Sequence, residues 1–264
     1  MRSVFQTRPV QRRSPSGLAV WEDGPAEAAV AVLVHGTMDR ARSFAKTIRR
    51  LPHVRLVSYD RRGYGASLEV APAGFDRQAA DLLEVLDGRP GVLVGHSFGG
   101  ALALAAAARA PGQVGAVAAF EAPRPIRPGQ AAGAVPPPAD DDPAAAAERF
   151  LRRLFGDRIW ERLPAEVREE RRREGAAMRA DRAALSGVGA PGARYDDGAL
   201  TMPVLAGRGS ASEERLRRAA DDLAAAAAKG ELFVCEGAAH AAHLTHPDCY
   251  AAFVATALQR GGCG

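Results

Sequence analysis

The stretch that most constrains this chain is Gly95-His96-Ser97-Phe98-Gly99-Gly100. A short apolar run, Val92-Leu93-Val94, precedes it, and an Ala/Leu-rich segment from Ala101 to Ala108 follows. That order predicts a strand, a sharp turn and a helix. Small residues at 95 and 99 let strand and helix approach closely, and strain at the turn lifts Ser97 clear. The helix N-terminus beneath it favours negative charge. The plainer reading is a structural glycine-rich turn. The stretch lacks the lysine and the spacing of a phosphate cradle.

Around this turn the chain repeats strand and helix. Ala28–Val34, Arg55–Tyr59, Val114–Phe120, Met202–Ala206 and Leu232–Cys235 read as buried strands. Leu18–Trp21 reads as a further strand, and the polar lead-in before it as an edge hairpin. Arg42–Leu51 and Asp76–Leu86 read as helices, the second capped by Asp76. Ser210 and Glu213 have the spacing of a capping box, and Pro247 opens a last helix. This alternation predicts an α/β fold with a mostly parallel central sheet flanked by helices. With 264 residues, 47% of them hydrophobic, the chain can bury one sizeable core.

The pattern breaks at Pro123. Residues 123–141 read as a Pro/Gly/Ala-rich linker. Asp142-Pro143 then opens a helix, with Phe150, Leu151, Leu154 and Phe155 at helical spacing and Ile159, Trp160, Leu163 and Val167 beyond. The expected division is a core of residues 1–122 and 199–264 and a helical lid insert over 123–198. Trp160 and the phenylalanines either line a pocket or glue the lid to the core.

A net charge of +4 and arginines spread along helical stretches such as Glu169–Glu174 give no continuous basic stripe, so no nucleic-acid partner is expected. That run reads as a solvated helix face. The apolar runs are too short to cross a bilayer. Three scattered cysteines suggest neither a disulfide framework nor a metal site, which fits a reducing, cytoplasmic setting. No long apolar leader opens the chain.

Four motifs in order, His35-Gly36, Asp60-Arg61-Arg62-Gly63-Tyr64-Gly65, Gly95–Gly100, and Gly237-Ala238-Ala239-His240 followed by Pro247, resemble the α/β-hydrolase superfamily over nearly the whole length. The chain looks most like its small, lidded, cofactor-free members. The resemblance implies a nucleophile at Ser97 and a general base at His240. It also implies an oxyanion hole from the backbone N–H groups of Thr37 and Phe98, each donor worth about 3–4 kcal/mol. The chemistry agrees: a serine hydroxyl needs a base, and imidazole titrates near neutrality. His35 and His96 sit in core turns, and His53 reads as exposed. His243 is the alternative base. His240, His243 and His246 lack a convincing ligand set for zinc, so no metal and no cofactor is expected.

The third group departs from the commonest pattern. Where an aspartate is expected, the chain has Gly209, Ser210 and Ala211. Some α/β-hydrolases keep their acid after the strand that follows the nucleophile helix, and there this chain has Glu121. It lies between apolar neighbours, where an unpaired charge is costly. Ser97, His240 and Glu121 are therefore the expected triad, with a carboxylate near Glu213 as the alternative. Asp60 and Arg61 read as structural. A serine nucleophile argues against dehalogenase and epoxide hydrolase activity. The expected function is hydrolysis of an ester of a small, apolar acyl group. Thioesters and carbon–carbon bonds stay open, as does a non-catalytic ligand-binding protein on the same fold.

Overall fold

The structure, a computed structural model, describes residues 9–124, 142–186 and 197–262. Eight strands form one sheet: β1 (Val10–Arg13), β2 (Ala19–Asp23), β3 (Val30–Val34), β4 (Arg55–Tyr59), β5 (Gly91–His96), β6 (Val114–Phe120), β7 (Val204–Gly209) and β8 (Gly230–Cys235). Their order is β1-β2-β4-β3-β5-β6-β7-β8. The β1–β2 hairpin and the β2–β4 pair are antiparallel, and every pair from β4 across to β8 is parallel. The helices are α1 (Ala45–Ile48), α2 (Phe75–Leu86), α3 (Phe98–Arg109), α4 (Pro143–Phe155), α5 (Asp157–Arg162), α6 (Ala165–Arg173), α7 (Gly175–Ser186), α8 (Glu214–Ala226), α9 (Ala242–Thr245) and α10 (Pro247–Arg260).

The strands are apolar on both faces because both faces are covered. Val30, Val32 and Val34 enter the layer shared with α2, α3 and α8, while Ala31 and Leu33 enter the layer shared with α10. The alternation along β3 thus divides one valine-rich run between two cores. Tyr250, Phe253, Val254, Ala257 and Leu258 supply the inner face of α10 as their spacing predicts.

Several local expectations change. The segment read as a helix over Arg42–Leu51 is a 3₁₀ turn, Ala41–Phe44, followed by the single turn of α1; the Asp60 carboxylate takes the Ala41 N–H at 2.8 Å and draws the turn in. Helix α2 starts at Phe75 with Gly74 at its cap, and Asp76 accepts hydrogen bonds from Arg109 instead. Ser210 does not cap α8, because β7 continues to Gly209; its hydroxyl accepts the Gly237 N–H at 2.9 Å. Glu213 pairs with Arg215 at the surface, 2.8 Å away.

Helix α4 packs on α5, α6 and α7, and α7 reaches α2. Asp142 caps α4 by accepting from the Ala144 and Ala145 N–H groups, with Pro143 next in line. Trp160 is buried with Met38, Tyr64, Leu151 and Met178, and its indole N–H donates to Glu148 at 3.0 Å. Leu154, Phe155 and Ile159 are instead exposed. The linker expected over 123–141 lies, apart from residues 123 and 124, outside the described residues, as does 187–196.

Two readings are overturned. The Glu169–Glu174 run is not only a solvated face: Glu174 is fully buried, paired with Arg40 and Arg171 at 2.7 Å each, and accepts the Gly65 N–H. Cys235 and Cys249 form a disulfide. The loop from β8 turns back into α10, which places the two cysteines side by side despite their separation of 14 residues.

Candidate active site

Ser97 sits between β5 and α3 with φ 54° and ψ −125°, a conformation that costs a side-chain-bearing residue about 1–3 kcal/mol. Its N–H donates to the Phe120 carbonyl at 2.8 Å, and its own carbonyl accepts from Gly100 at 2.8 Å, so both ends of the turn are pinned. Glycine at 95 is required by close approach: a Cβ there would lie 2.2 Å from the Gly99 carbonyl oxygen. Phe98 opens α3, where the first N–H groups have no acceptor within the helix.

Glu121 leaves the end of β6 with φ 47° and is fully buried. Its N–H donates to Gly207 at 2.8 Å. Its carboxylate accepts from His240 Nδ1 at 2.6 Å, from the Gly209 N–H at 2.8 Å and from the Ser212 hydroxyl. Burial raises the Glu121 pKa, but the His240, Gly209 and Ser212 hydrogen bonds outweigh it and hold the carboxyl below its ordinary value. With Nδ1–H donating to Glu121, the neutral His240 ring presents Nε2 as its acceptor. The His240 carbonyl in turn accepts from His96 Nε2 at 2.7 Å, which ties the histidine loop to the residue beside Ser97. The structure thus brings Glu121 and His240 into contact across 119 residues and leaves Glu213 at the surface. Ser212 is missing from the sequence reading, and only its position three residues past the end of β7 hints at it.

Thr37 lies in the loop after β3, folded over Ser97: a Cβ on Gly36 would stand 3.1 Å from Ser97 Cβ. The Gly36 carbonyl accepts from His35 Nδ1 at 2.8 Å and from Arg61 Nη2 at 3.0 Å. His35 Nε2 accepts the Arg61 backbone N–H at 3.0 Å, which fixes the ring's tautomer. Burial first, and then the Arg61 charge, lower the His35 pKa to about 3. Arg61 is fully enclosed, and its guanidinium also holds the His35 carbonyl, Gln78 and both oxygens of Asp181 on α7. Asp181 accepts further from the Thr37 and Tyr64 hydroxyls, at 2.9 and 2.8 Å.

Among the described residues, Asp39, His96 and His243 bring one potential metal-ligating atom each within 4.8 Å of one another. The Asp39 carboxylate accepts from the Arg40 N–H at 2.8 Å, Ser43 at 3.0 Å and His243 Nε2 at 3.1 Å. His243, the alternative base, is buried against Asp39, Phe44 and Tyr250.

The family model described as "Alpha/beta hydrolase family" matches residues 31–253. Over 103 residues the chain is 36% identical to "Lipase LipV" of Mycobacterium tuberculosis, an alignment that covers 38% of this chain and 40% of that lipase. The fold is similar to an enol-lactonase from Burkholderia xenovorans LB400, with a TM-score of 0.69 at 22% identity over 95% of this chain and 100% of that one. It is also similar to a thermophilic esterase from Thermogutta terrifontis, with a TM-score of 0.68 at 19% identity over 97% and 99% of the two chains.

Proposed function

The chain belongs to the α/β hydrolase family, and from that premise we propose that it is a serine hydrolase that cleaves an ester of a small, apolar acyl group by way of an acyl-enzyme. Ser97 is the nucleophile, His240 the general base and Glu121 the acid that orients it. The observation that carries this reading is the 2.6 Å hydrogen bond between His240 Nδ1 and a buried Glu121 carboxylate, on the loop docked beside Ser97. Helices α4–α7 act as a cap over the site.

In the first half-reaction His240 Nε2 takes the Ser97 proton as Oγ attacks the carbonyl carbon. Charge develops on the carbonyl oxygen, and the N–H groups of Thr37 and Phe98 stabilise it. Among the described residues neither N–H has a hydrogen-bond acceptor. The imidazolium then protonates the departing alkoxide, leaving the acyl group on Ser97. Water, deprotonated by His240, attacks that ester in turn and releases the acid. Glu121 stays ionised throughout and stabilises the imidazolium.

The similarity to a lipase, an enol-lactonase and an esterase supports an acyl ester as the substrate class. A fluorophosphonate probe followed by peptide mapping tests the nucleophile: folded protein without an adduct on Ser97 rules the reading out. A series of p-nitrophenyl esters of graded chain length then ranks the acyl group.

A further inference from the structure

We propose that Arg61, held in place by Asp181 of the cap, is a positioning residue that fixes the Gly36–Thr37 peptide with its N–H toward the oxyanion. This rests on the reading of Thr37 as an oxyanion donor. In a trans peptide the C=O and N–H point in opposite directions, and the described residues contain no cis bond. The Gly36 carbonyl is drawn toward the Arg61 guanidinium and the His35 ring, which fill both of its lone pairs. The Thr37 N–H therefore faces away from Arg61, in a loop whose preceding residue, Gly36, packs over Ser97. Turning this peptide over would break two buried hydrogen bonds and aim a carbonyl oxygen at the developing negative charge.

The same guanidinium also packs on the side chain of Phe98. Its carbon lies 4.9 Å from the ring centre of Phe98, whose N–H is the other candidate. Asp181 completes the clamp from the cap side. It takes Arg61 in a two-oxygen grip and also binds the Thr37 hydroxyl. Tyr64 binds the same carboxylate through its hydroxyl, at 2.8 Å. The peptide before Thr37 and the Thr37 side chain are thus tied down by groups that converge on one carboxylate of α7. Packing of the cap and readiness of the oxyanion hole are then one event.

The test compares wild type with Arg61→Lys, Thr37→Val and the paired Arg61→Met/Asp181→Leu. Arg61→Lys keeps the charge opposite Asp181 but cannot hold two carbonyls and a carboxylate together. The paired variant removes both buried charges at once and serves if the lysine protein does not fold. The readouts are kcat and KM on a p-nitrophenyl ester, affinity for a trifluoromethyl ketone that forms a tetrahedral adduct, and Tm. We expect kcat to fall about 10- to 100-fold in Arg61→Lys or the paired variant and about 3- to 10-fold in Thr37→Val. KM should change less than twofold, and ketone affinity should fall with kcat. A folded variant with wild-type kcat and ketone affinity overturns the proposal. If wild type itself neither turns over ester nor labels at Ser97, the hydrolase reading fails as well, so the two failures are told apart by the wild-type arm alone.

Discussion

Glu121 shows how much one side chain depends on its surroundings. Its backbone is in a left-handed conformation, its side chain has no contact with water, and three donors converge on it. A carboxylate buried this way is stable only while those donors are present. Glu121→Gln keeps the shape but loses the charge that, in the proposed mechanism, orients His240 and stabilises its protonated form. Ester hydrolysis by that variant should show kcat lower by about 10³- to 10⁴-fold with KM little changed. Ser212→Ala removes one donor and leaves the other two. Since a hydrogen bond to a charged group is worth about 1.5–3 kcal/mol, of which only part reaches the reaction, kcat should fall about tenfold. Full activity in the Glu121→Gln protein would remove it from the triad.

At the scale of elements, the β5–α3 junction is set by close approach rather than by any attraction. Gly95 faces the Gly99 carbonyl across 2.2 Å of would-be Cβ distance, and Gly99 faces the Val34 carbonyl in the same way, at 2.3 Å. Gly95→Ala must push α3 off the sheet. It should destabilise the protein by about 3 kcal/mol in a urea titration, and unchanged stability would contradict this packing. On the other side of the site, β8 and α10 are joined through Cys235 and Cys249, and the stretch they enclose carries His240, His243 and His246. Non-reducing peptide mapping should recover these two cysteines in one linked fragment.

Across the whole molecule, buried titratable groups set how stability responds to acid. His35 is held neutral down to about 3, whereas an unfolded chain would bind its proton near 6.5. The unfolded state therefore takes up more protons in that window, so this contribution is complete above pH 6.5 and is lost as pH falls toward 3. Glu22 acts at lower pH. Burial raises its pKa, but Arg12, Arg55 and Arg89 outweigh this and bring it from 4.5 to about 2. Through these contacts the carboxylate joins β2 to β1, to β4 and to the turn after α2. Its contribution is full above pH 4.5 and fades toward pH 2. Thermal melts should thus show Tm declining below pH 6.5 in wild type. The gap between wild type and Glu22→Gln should stay constant above pH 4.5 and close toward pH 2.

What the sequence determined by itself is what its neighbours in the chain enforce. Apolar runs such as Arg55–Tyr59 and Val114–Phe120 appear as strands with those bounds, because alternation and β-branching act within a few residues. The elbow at Ser97 is legible for the same reason: its glycines, strand and helix are contiguous. Glu121 was singled out through the resemblance, as the residue that ends the strand after the Ser97 helix, and the structure adds its contact with His240. The tertiary structure decided how buried polar groups are partnered. The parallel registers that set Phe120 opposite Gly207 and Gly209 opposite Cys235 place Glu121 against Gly209 and Ser212. The pairing of Arg61 with Asp181 spans 120 residues, and the capping box expected at Ser210 gave way to a bond with Gly237. A hydrogen bond taken out of water is worth making with whichever donor the fold brings near, and no local pattern records which one that is.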